Sequence, residues 1–538
     1  MELSQPYDES KVLIIYTGGT IGMLVGHQGY VPEPYFLTET LFSQHRFHDP
    51  LEESLFSHSS SAHLHSLVTP RTTASGQMGK RIRYVILEWN PLLDSSNMEP
   101  DDWVRIATEI ELNYSTFDAF IVLHGTDTMS YTSSALSFLL EDLGKTVIVT
   151  GAQIPLSRLR NDAVDNLLGA LTIAGHFIIP EVCLFFNHTL YRGNRVYKFS
   201  SNDLNAFDSP NFAPLVHVGI EITVDWNNVI RQTGLRRFKA HKRNSNVATL
   251  RLFPGITAAT VRAFLAPPMR GLILETFGAG NAPQRADLLE ALKDACDRGV
   301  VIVTISQCSK GTVSADYETG RGLLKLGIVP GGDMTPECAL TKLGYLLSKP
   351  DLSVAQVRTL MGTPLRGELT QPGNNIPKAA AQPDIEDALD TIQGVLSQVV
   401  RLSSARTTAA PKIGAAARRN SAVVGNMVNC IDPASGRAPL HVAAMNGSTA
   451  CVNALLEAGA LVHLRDALGH TALYYAARQG HESVVDILVI AGANLGGSDV
   501  EGGFVTLIVK KAVHSQDDRA LRVWQKAGAE IQQNERKD

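Results

Sequence analysis

The sequence predicts an α/β protein: a large, doubly wound parallel sheet, then a smaller α/β domain, then an all-α repeat array. Three observations carry that expectation. Apolar, β-branched runs that stop at glycine alternate with helix-length amphipathic stretches between residues 11 and 186, the pattern of buried parallel strands joined by helices. The alternation resumes after a polar stretch, Asp225–Asn246, and runs on to Leu347. Beyond residue 430 a fixed period sets in: Ala438 and Thr471 stand 33 residues apart, as do Leu455 and Leu488.

Composition removes several classes. A chain of 538 residues is too long for one hydrophobic core. With 44% hydrophobic and 19% charged residues it has the balance of an ordinary globular protein. A net charge of −5 gives no attraction for nucleic acid. The six cysteines are scattered with no C-x-x-C pair, which fits reduced thiols in a cytoplasmic protein. The acidic opening M-E-L-S-Q-P-Y-D-E-S does not read as a signal peptide, and no apolar run reaches the ~18–20 residues of a membrane span.

Taken in order, Lys11–Tyr16 is the first predicted strand. Gly18 and Gly19 allow a tight turn that presents Thr20, and neither G-x-x-x-x-G-K-[ST] nor G-x-G-x-x-G is present to suggest a nucleotide loop. Tyr30 lies in a Gly- and Pro-bearing loop, Val25–Pro34. Leu55–Arg81, rich in Ser, His and Thr, reads as a surface loop; its histidines 58, 63 and 65 are irregularly spaced and lack acidic or Cys companions, so no metal is expected. Tyr84–Leu87 is a strand, and the loop Pro91–Pro100 carries Asp94, Ser95 and Ser96, whose hydroxyls and N–H groups can hold a carboxylate or cap a helix. Phe120–Leu123 is a buried strand that delivers Thr126 and Asp127. A helix is expected near Ser134–Leu143, from the stripe Leu136, Leu139, Leu140 and Leu143, followed by a strand at Val147–Val149 that ends at Thr150–Gln153. Asn161–Ala174 is a helix and Val182–Phe186 a strand. In open α/β sheets chemistry gathers beyond the carboxyl ends of the strands, so Thr20, Thr126 and Asp127 are expected on one rim.

The motifs T-G-G-T-I-G (17–22) and H-G-T-D-T-M (124–129) anchor a longer ordered set. Q-G-Y-V-P (28–32), D-S-S-N-M (94–98), T-G-A-Q-I-P (150–155), Y-R-G-N-R-V-Y-K (191–198) and G-A-G-N-A-P (278–283) complete it. The set resembles the bacterial-type L-asparaginases, in particular the type I, cytoplasmic branch, over Lys11–Pro372. The resemblance implies an asparaginase-like N-terminal domain over 1–225, an interdomain link over 226–247, a C-terminal α/β domain over 248–369 and a linker over 370–420. It implies hydrolysis of the side-chain amide of L-asparagine to aspartate and ammonia through a threonine acyl-enzyme. Thr20 would be the nucleophile and Thr126 would activate water, biased by Lys198 and Asp127. Asp94, Ser95 and Ser96 would grip the amino-acid head group, and Asp127 would pair with its ammonium. Backbone N–H groups near Thr126 and Ala152 would hold the oxyanion. Tyr30 would sit on a mobile flap, and Tyr317 would come from a loop of the second domain. No metal or organic cofactor is required, and a homodimer or homotetramer is implied. Some type I enzymes carry a second, regulatory asparagine site; Asn281 and Cys308 match it, but Glu275 and Ser306 stand in place of Arg and Thr, which removes the cation for a carboxylate and implies a non-allosteric enzyme.

The periodic C-terminal region, 421–538, contains R-A-P-L-H-V-A-A (437–444) and H-T-A-L-Y-Y-A-A (470–477), with L-L-E-A-G-A (455–460) and L-V-I-A-G-A (488–493). It resembles ankyrin repeats: two clear units, a third degenerate one ending at Ala527–Ala529, and an N-terminal cap before Cys430. Such an array is either a surface for a protein partner or a scaffold packed on the enzyme. Two other functions compete. Animal proteins joining such an enzyme to ankyrin repeats carry lysophospholipase-type labels, but the G-x-S-x-G of a serine lipase is absent. A catalytically degenerate platform is opposed by the intact Thr20, Thr126, Asp127 and Lys198. Glutamine in place of asparagine is a closer variant, since head-group contacts discriminate side-chain length weakly.

Overall fold

The computed structural model describes residues 9–26, 29–49, 66–71, 80–230, 239–240, 246–313, 318–370, 428–429, 436–466, 468–495, 499, 504–515 and 517–529. Tyr317, the three loop histidines and residues 371–420 of the expected linker, in which the sequence predicts one helical stretch near Ile385–Val399, lie outside the described residues.

Five parallel strands form the centre of a nine-stranded sheet, in the spatial order Arg81–Leu93, Glu9–Gly18, Ala119–Leu123, Thr146–Thr150 and Val182–Phe186. Their runs are apolar throughout because both faces are covered. Val12, Ile14, Ile121 and Ile148 join one core; Leu13, Ile15, Phe120, Val122 and Val149 join the other. The edges are antiparallel, so the sheet is mixed rather than wholly parallel. Thr189–Arg192, Val216–Val218 and Ile222–Val224 extend one side, and Ser66–Val68 the other. That last strand falls inside the stretch expected to be a loop. The helix expected at 134–143 instead spans Met129–Leu139. It is buried around nearly its whole circumference, so its leucine stripe marks only one of several buried faces. One of these packs on the helix Pro336–Leu347 of the second domain, where Phe138 stacks on Tyr345 at 5.9 Å between ring centroids.

The second domain has four parallel strands, Val247–Arg251, Gly271–Thr276, Val301–Ser306 and Val329–Pro330. The Y-R-G-N-R run clasps it to the first. Arg192 pairs with Glu181 at 2.5 Å and donates to Gly367 O, and Asn194 donates to Arg366 O. Arg195 donates to Asp333 at 2.7 Å, to Thr370 Oγ1 and to the Glu368 carbonyl. Its side chain is only 2% exposed. Replacing Arg195 by Ala would leave Asp333 and the 367–370 segment without their buried donor. The expected loss is about 3–5 kcal/mol of stability in denaturant unfolding, with Arg195→Lys recovering only part, because an ammonium cannot reproduce the guanidinium fork.

Three helix pairs follow: Pro439–Met445 with Thr449–Glu457, Ala472–Arg478 with Glu482–Ile490, and Phe504–Ser515 with Asp518–Lys526. They share one core of small and branched residues, including Leu440, Leu455, Leu473, Leu488 and Trp524. The third pair lies where the degenerate unit is expected. The array is docked on the first domain. Arg465 reaches Asp118 at 3.5 Å, and His463 packs edge-on against Tyr114. Asp118 precedes the strand Ala119–Leu123 and accepts from Lys11 N, while Lys145 donates to Phe117 O. The array thus sits at the amino ends of the central strands, opposite the carboxyl ends that lead to Thr20 and Thr126.

Burial, with Lys145 and Arg465 alongside and Asp118 opposing, holds the His463 imidazole well below its ordinary value of 6.5. The docked state therefore resists a proton that the undocked state accepts. Docking is at full strength above about pH 6.5 and weakens as pH falls below it. Small-angle scattering from pH 7.5 to 5.5 should report expansion in the wild type, and His463→Gln should flatten the response.

The five described cysteines form no disulfide, and among the described residues no helix is long and apolar enough to cross a membrane.

Candidate active site

The rim is assembled by backbone packed on backbone. Gly18 and Gly19 have φ of +127° and +83°, and a Cβ on either would lie 2.1 Å from Leu93 O or 2.4 Å from Gly125 N. A Cβ on Gly125 would meet Ser95 Oγ at 2.5 Å. Only glycine permits this approach, which draws the loops bearing Thr20, Ser95 and Thr126 around one point. Thr17 Oγ1 donates to Leu123 O at 2.9 Å and Thr128 Oγ1 to Ser95 O at 2.7 Å, fixing the same loops laterally.

His124 is wholly buried and serves this framework. Its Nδ1 donates to Gly125 O at 2.7 Å, so Nε2 accepts from Thr132 Oγ1 at 2.8 Å. Burial lowers its pKa to about 4, and the ring stays neutral at physiological pH.

Thr126, next but one, sits in a polar chain. Lys198 Nζ donates to Thr126 Oγ1 and to Asp127 Oδ1, both at 2.8 Å. Thr126 Oγ1 in turn donates to Gln153 Oε1 at 3.0 Å. The lysine side chain is 15% exposed and the aspartate 69%, so the pair presents its carboxylate to solvent and its ammonium to Thr126. Of the head-group residues, Ser95 is buried, while Asp94 Oδ1 accepts from Ser96 N at 2.9 Å and Ser96 Oγ at 2.6 Å, closing the turn. Thr20 opens the 3₁₀ turn Thr20–Gly22 and is partly exposed. Ala152 is buried one residue after Gly151, whose carbonyl accepts from Asn166 Nδ2 at 3.0 Å. Tyr30 is 47% exposed on the hairpin of Met23–Gly26 with Gly29–Pro32.

Three supporting residues escaped the sequence reading. Gln153 lies inside a quoted motif without an assigned role. Asp162 accepts from Gln153 N at 3.0 Å and from Ile154 N at 2.9 Å, and Asn166 completes the set. Gln153 on a loop, Asp162 at a helix start and Asn166 within the helix Ala163–His176 are single polar residues with no period or spacing to reveal them.

This arrangement can polarise the Thr126 hydroxyl from two sides, Lys198 donating to it and Gln153 accepting from it. Among the described residues no cluster of His, Cys, Asp and Glu could hold a metal ion.

Family comparison agrees with the geometry. The family model for the asparaginase N-terminal domain matches residues 11–230, that for the glutaminase/asparaginase C-terminal domain matches 246–361, and that for three copies of the ankyrin repeat matches 413–499. L-asparaginase 1 of Escherichia coli K12 is 43% identical over 364 residues, covering 67% of this chain and 98% of the relative. The chain belongs to the asparaginase family. A second member, the 60 kDa lysophospholipase of Mus musculus, is 41% identical over 98% of this chain and 92% of its own. Among solved asparaginases, L-asparaginase I of Vibrio cholerae superposes with a TM-score of 0.57 at 41% identity, over 68% of this chain and all of that one. The asparaginase matches end before the helical pairs, which the ankyrin match and the mouse relative account for.

Glu275, in place of the arginine expected at a regulatory site, is occupied in an ion pair with Arg251 at 3.2 Å.

Proposed function

We propose that this chain hydrolyses the side-chain amide of L-asparagine to L-aspartate and ammonia. The observation that carries the reading is Thr126 Oγ1 held between Lys198 and Gln153, with Lys198 also on Asp127, at the strand ends that present Thr20. Thr20 Oγ1 attacks the amide carbon, its proton passes to the departing nitrogen, and ammonia leaves a β-aspartyl ester on Thr20. Water then adds to the ester carbon while Thr126 Oγ1 relays a proton from it to Thr20 Oγ1; the ester bond breaks and Thr20 regains its hydroxyl. The Lys198 ammonium favours negative charge on Thr126 Oγ1, and Asp127 faces solvent where the substrate ammonium would arrive. Backbone N–H groups near Thr126 and Ala152 stabilise the oxyanion, a contribution of roughly 3–4 kcal/mol in other enzymes. Asp94, Ser95 and Ser96 bind the head group, and Tyr30 and Tyr317 assist from the flap and the second domain. The type I resemblance supports a cytoplasmic homodimer or homotetramer, and the ankyrin surface supports a protein partner.

One observation favours a second reading, the 41% identity to a relative named a lysophospholipase. Ammonia release from asparagine and glutamine, beside fatty-acid release from lysophosphatidylcholine, separates the two. Asparagine turnover with a hyperbolic saturation curve is expected. Fatty-acid release without ammonia would support the second reading, and a sigmoidal curve would contradict the absence of a regulatory site.

A further inference from the structure

The segment after the strand Thr146–Thr150 does more than carry Gln153. Its two ends are tied together, because Asp162 accepts from Gln153 N and Ile154 N. Between those ends it is stitched to the flap at three successive residues. Leu156 N donates to Ile21 O at 3.1 Å, and Ser157 Oγ donates to Met23 O at 2.9 Å. Arg158 Nε donates to Tyr30 Oη at 2.7 Å, with its guanidinium 5.4 Å from the centroid of the tyrosine ring.

The first two contacts hold the base of the hairpin; the third reaches its far strand. Val25, Tyr30 and Val31 are 62%, 47% and 48% exposed, so little apolar packing holds that part of the hairpin. A hairpin with so few apolar contacts takes its position from its polar ones. Arg158 also faces an open groove of about 960 Å³, shared with Gln44, His45 and Arg46, which leaves the guanidinium room to release the ring.

We propose that Arg158 is a positioning residue for the reaction. By gripping Tyr30 it sets the flap over the site, and through the 151–162 segment it couples flap position to the Thr126–Gln153 hydrogen bond. The inference rests on the asparaginase reading of the site and on Tyr30 acting from the flap.

The test combines kinetics with hydrogen exchange on the full chain. Arg158→Ala should lower kcat/KM for asparagine about tenfold, since small displacements of a positioned group have effects of that order. Arg158→Lys, which keeps a donor and the charge but loses the guanidinium, should recover part of it. Tyr30→Phe should resemble Arg158→Ala, and the double variant should be no worse than the poorer single one, because both remove the same link. In Arg158→Ala the amides of Met23–Gly26, Tyr30 and Val31 should exchange at least about fivefold faster. Losses that multiply in the double variant would overturn the proposal. So would kcat/KM within about twofold of wild type, whether or not exchange accelerates. Wild-type protein without asparagine turnover would instead overturn the reading of the site, while the exchange rates would still judge the grip of Arg158 on the flap.

Discussion

Thr20→Ala is expected to abolish ammonia release from asparagine, to below about one per cent of wild type, while the protein stays folded. The residue is partly exposed on a 3₁₀ turn whose closing bond, Met23 N to Thr20 O, belongs to the backbone. Removing its hydroxyl leaves the cores and the glycine contacts untouched, so the melting temperature should stay within about 2 °C. Thr20→Ser keeps a hydroxyl at the same place and should restore part of the rate. Ammonia release near the wild-type rate by Thr20→Ala would remove it from the reaction.

Lys198→Met is the second large effect. The lysine holds Thr126 and Asp127 at once, and no other cation is hydrogen-bonded to Thr126 among the described residues. A methionine fills a similar volume without charge or donor. Proton transfer assisted by a positioned side chain is worth about 10²–10⁴-fold, and kcat should fall by that much. KM should change little, because Asp127, 69% exposed and released from its partner, stays free to receive the substrate ammonium. The stability cost should also be small, since a solvated carboxylate tolerates the loss of its ion pair. A loss confined to KM would mean that Lys198 binds substrate rather than serving Thr126.

The centre of the fold was readable because buried parallel strands leave uninterrupted apolar runs, as at Phe120–Leu123 and Val182–Phe186. Pro336–Leu347 was readable from a proline and a capping threonine at its start. The helix at Met129–Leu139 was misplaced by five residues at its start because serines 130, 133, 134 and 137 are buried beside its leucines, and polarity stopped marking the outside. Ser66–Val68 was missed because three residues carry no alternation. Thr20, Thr126 and Asp127 were placed on the rim by the strand ends and Lys198 by resemblance, and the structure brings Thr126, Asp127 and Lys198 into hydrogen-bond contact. Gln153, Asp162 and Arg158 act through loop geometry, which appears only when distant segments are brought together. The docking of the ankyrin pairs at the strand amino ends was invisible for the same reason: Asp118 and Arg465 are unremarkable in sequence.

The central claim is a covalent aspartyl ester on Thr20. It is tested most directly by acid-quenching Lys198→Met protein, in which ester hydrolysis is slowed, seconds after mixing with asparagine and mapping peptides by mass spectrometry. The expected result is an increment of about 115 Da, one aspartyl group in place of a hydroxyl proton, on the peptide containing Thr20. The same increment on the peptide containing Thr126, or steady turnover with no adduct on either, would contradict it.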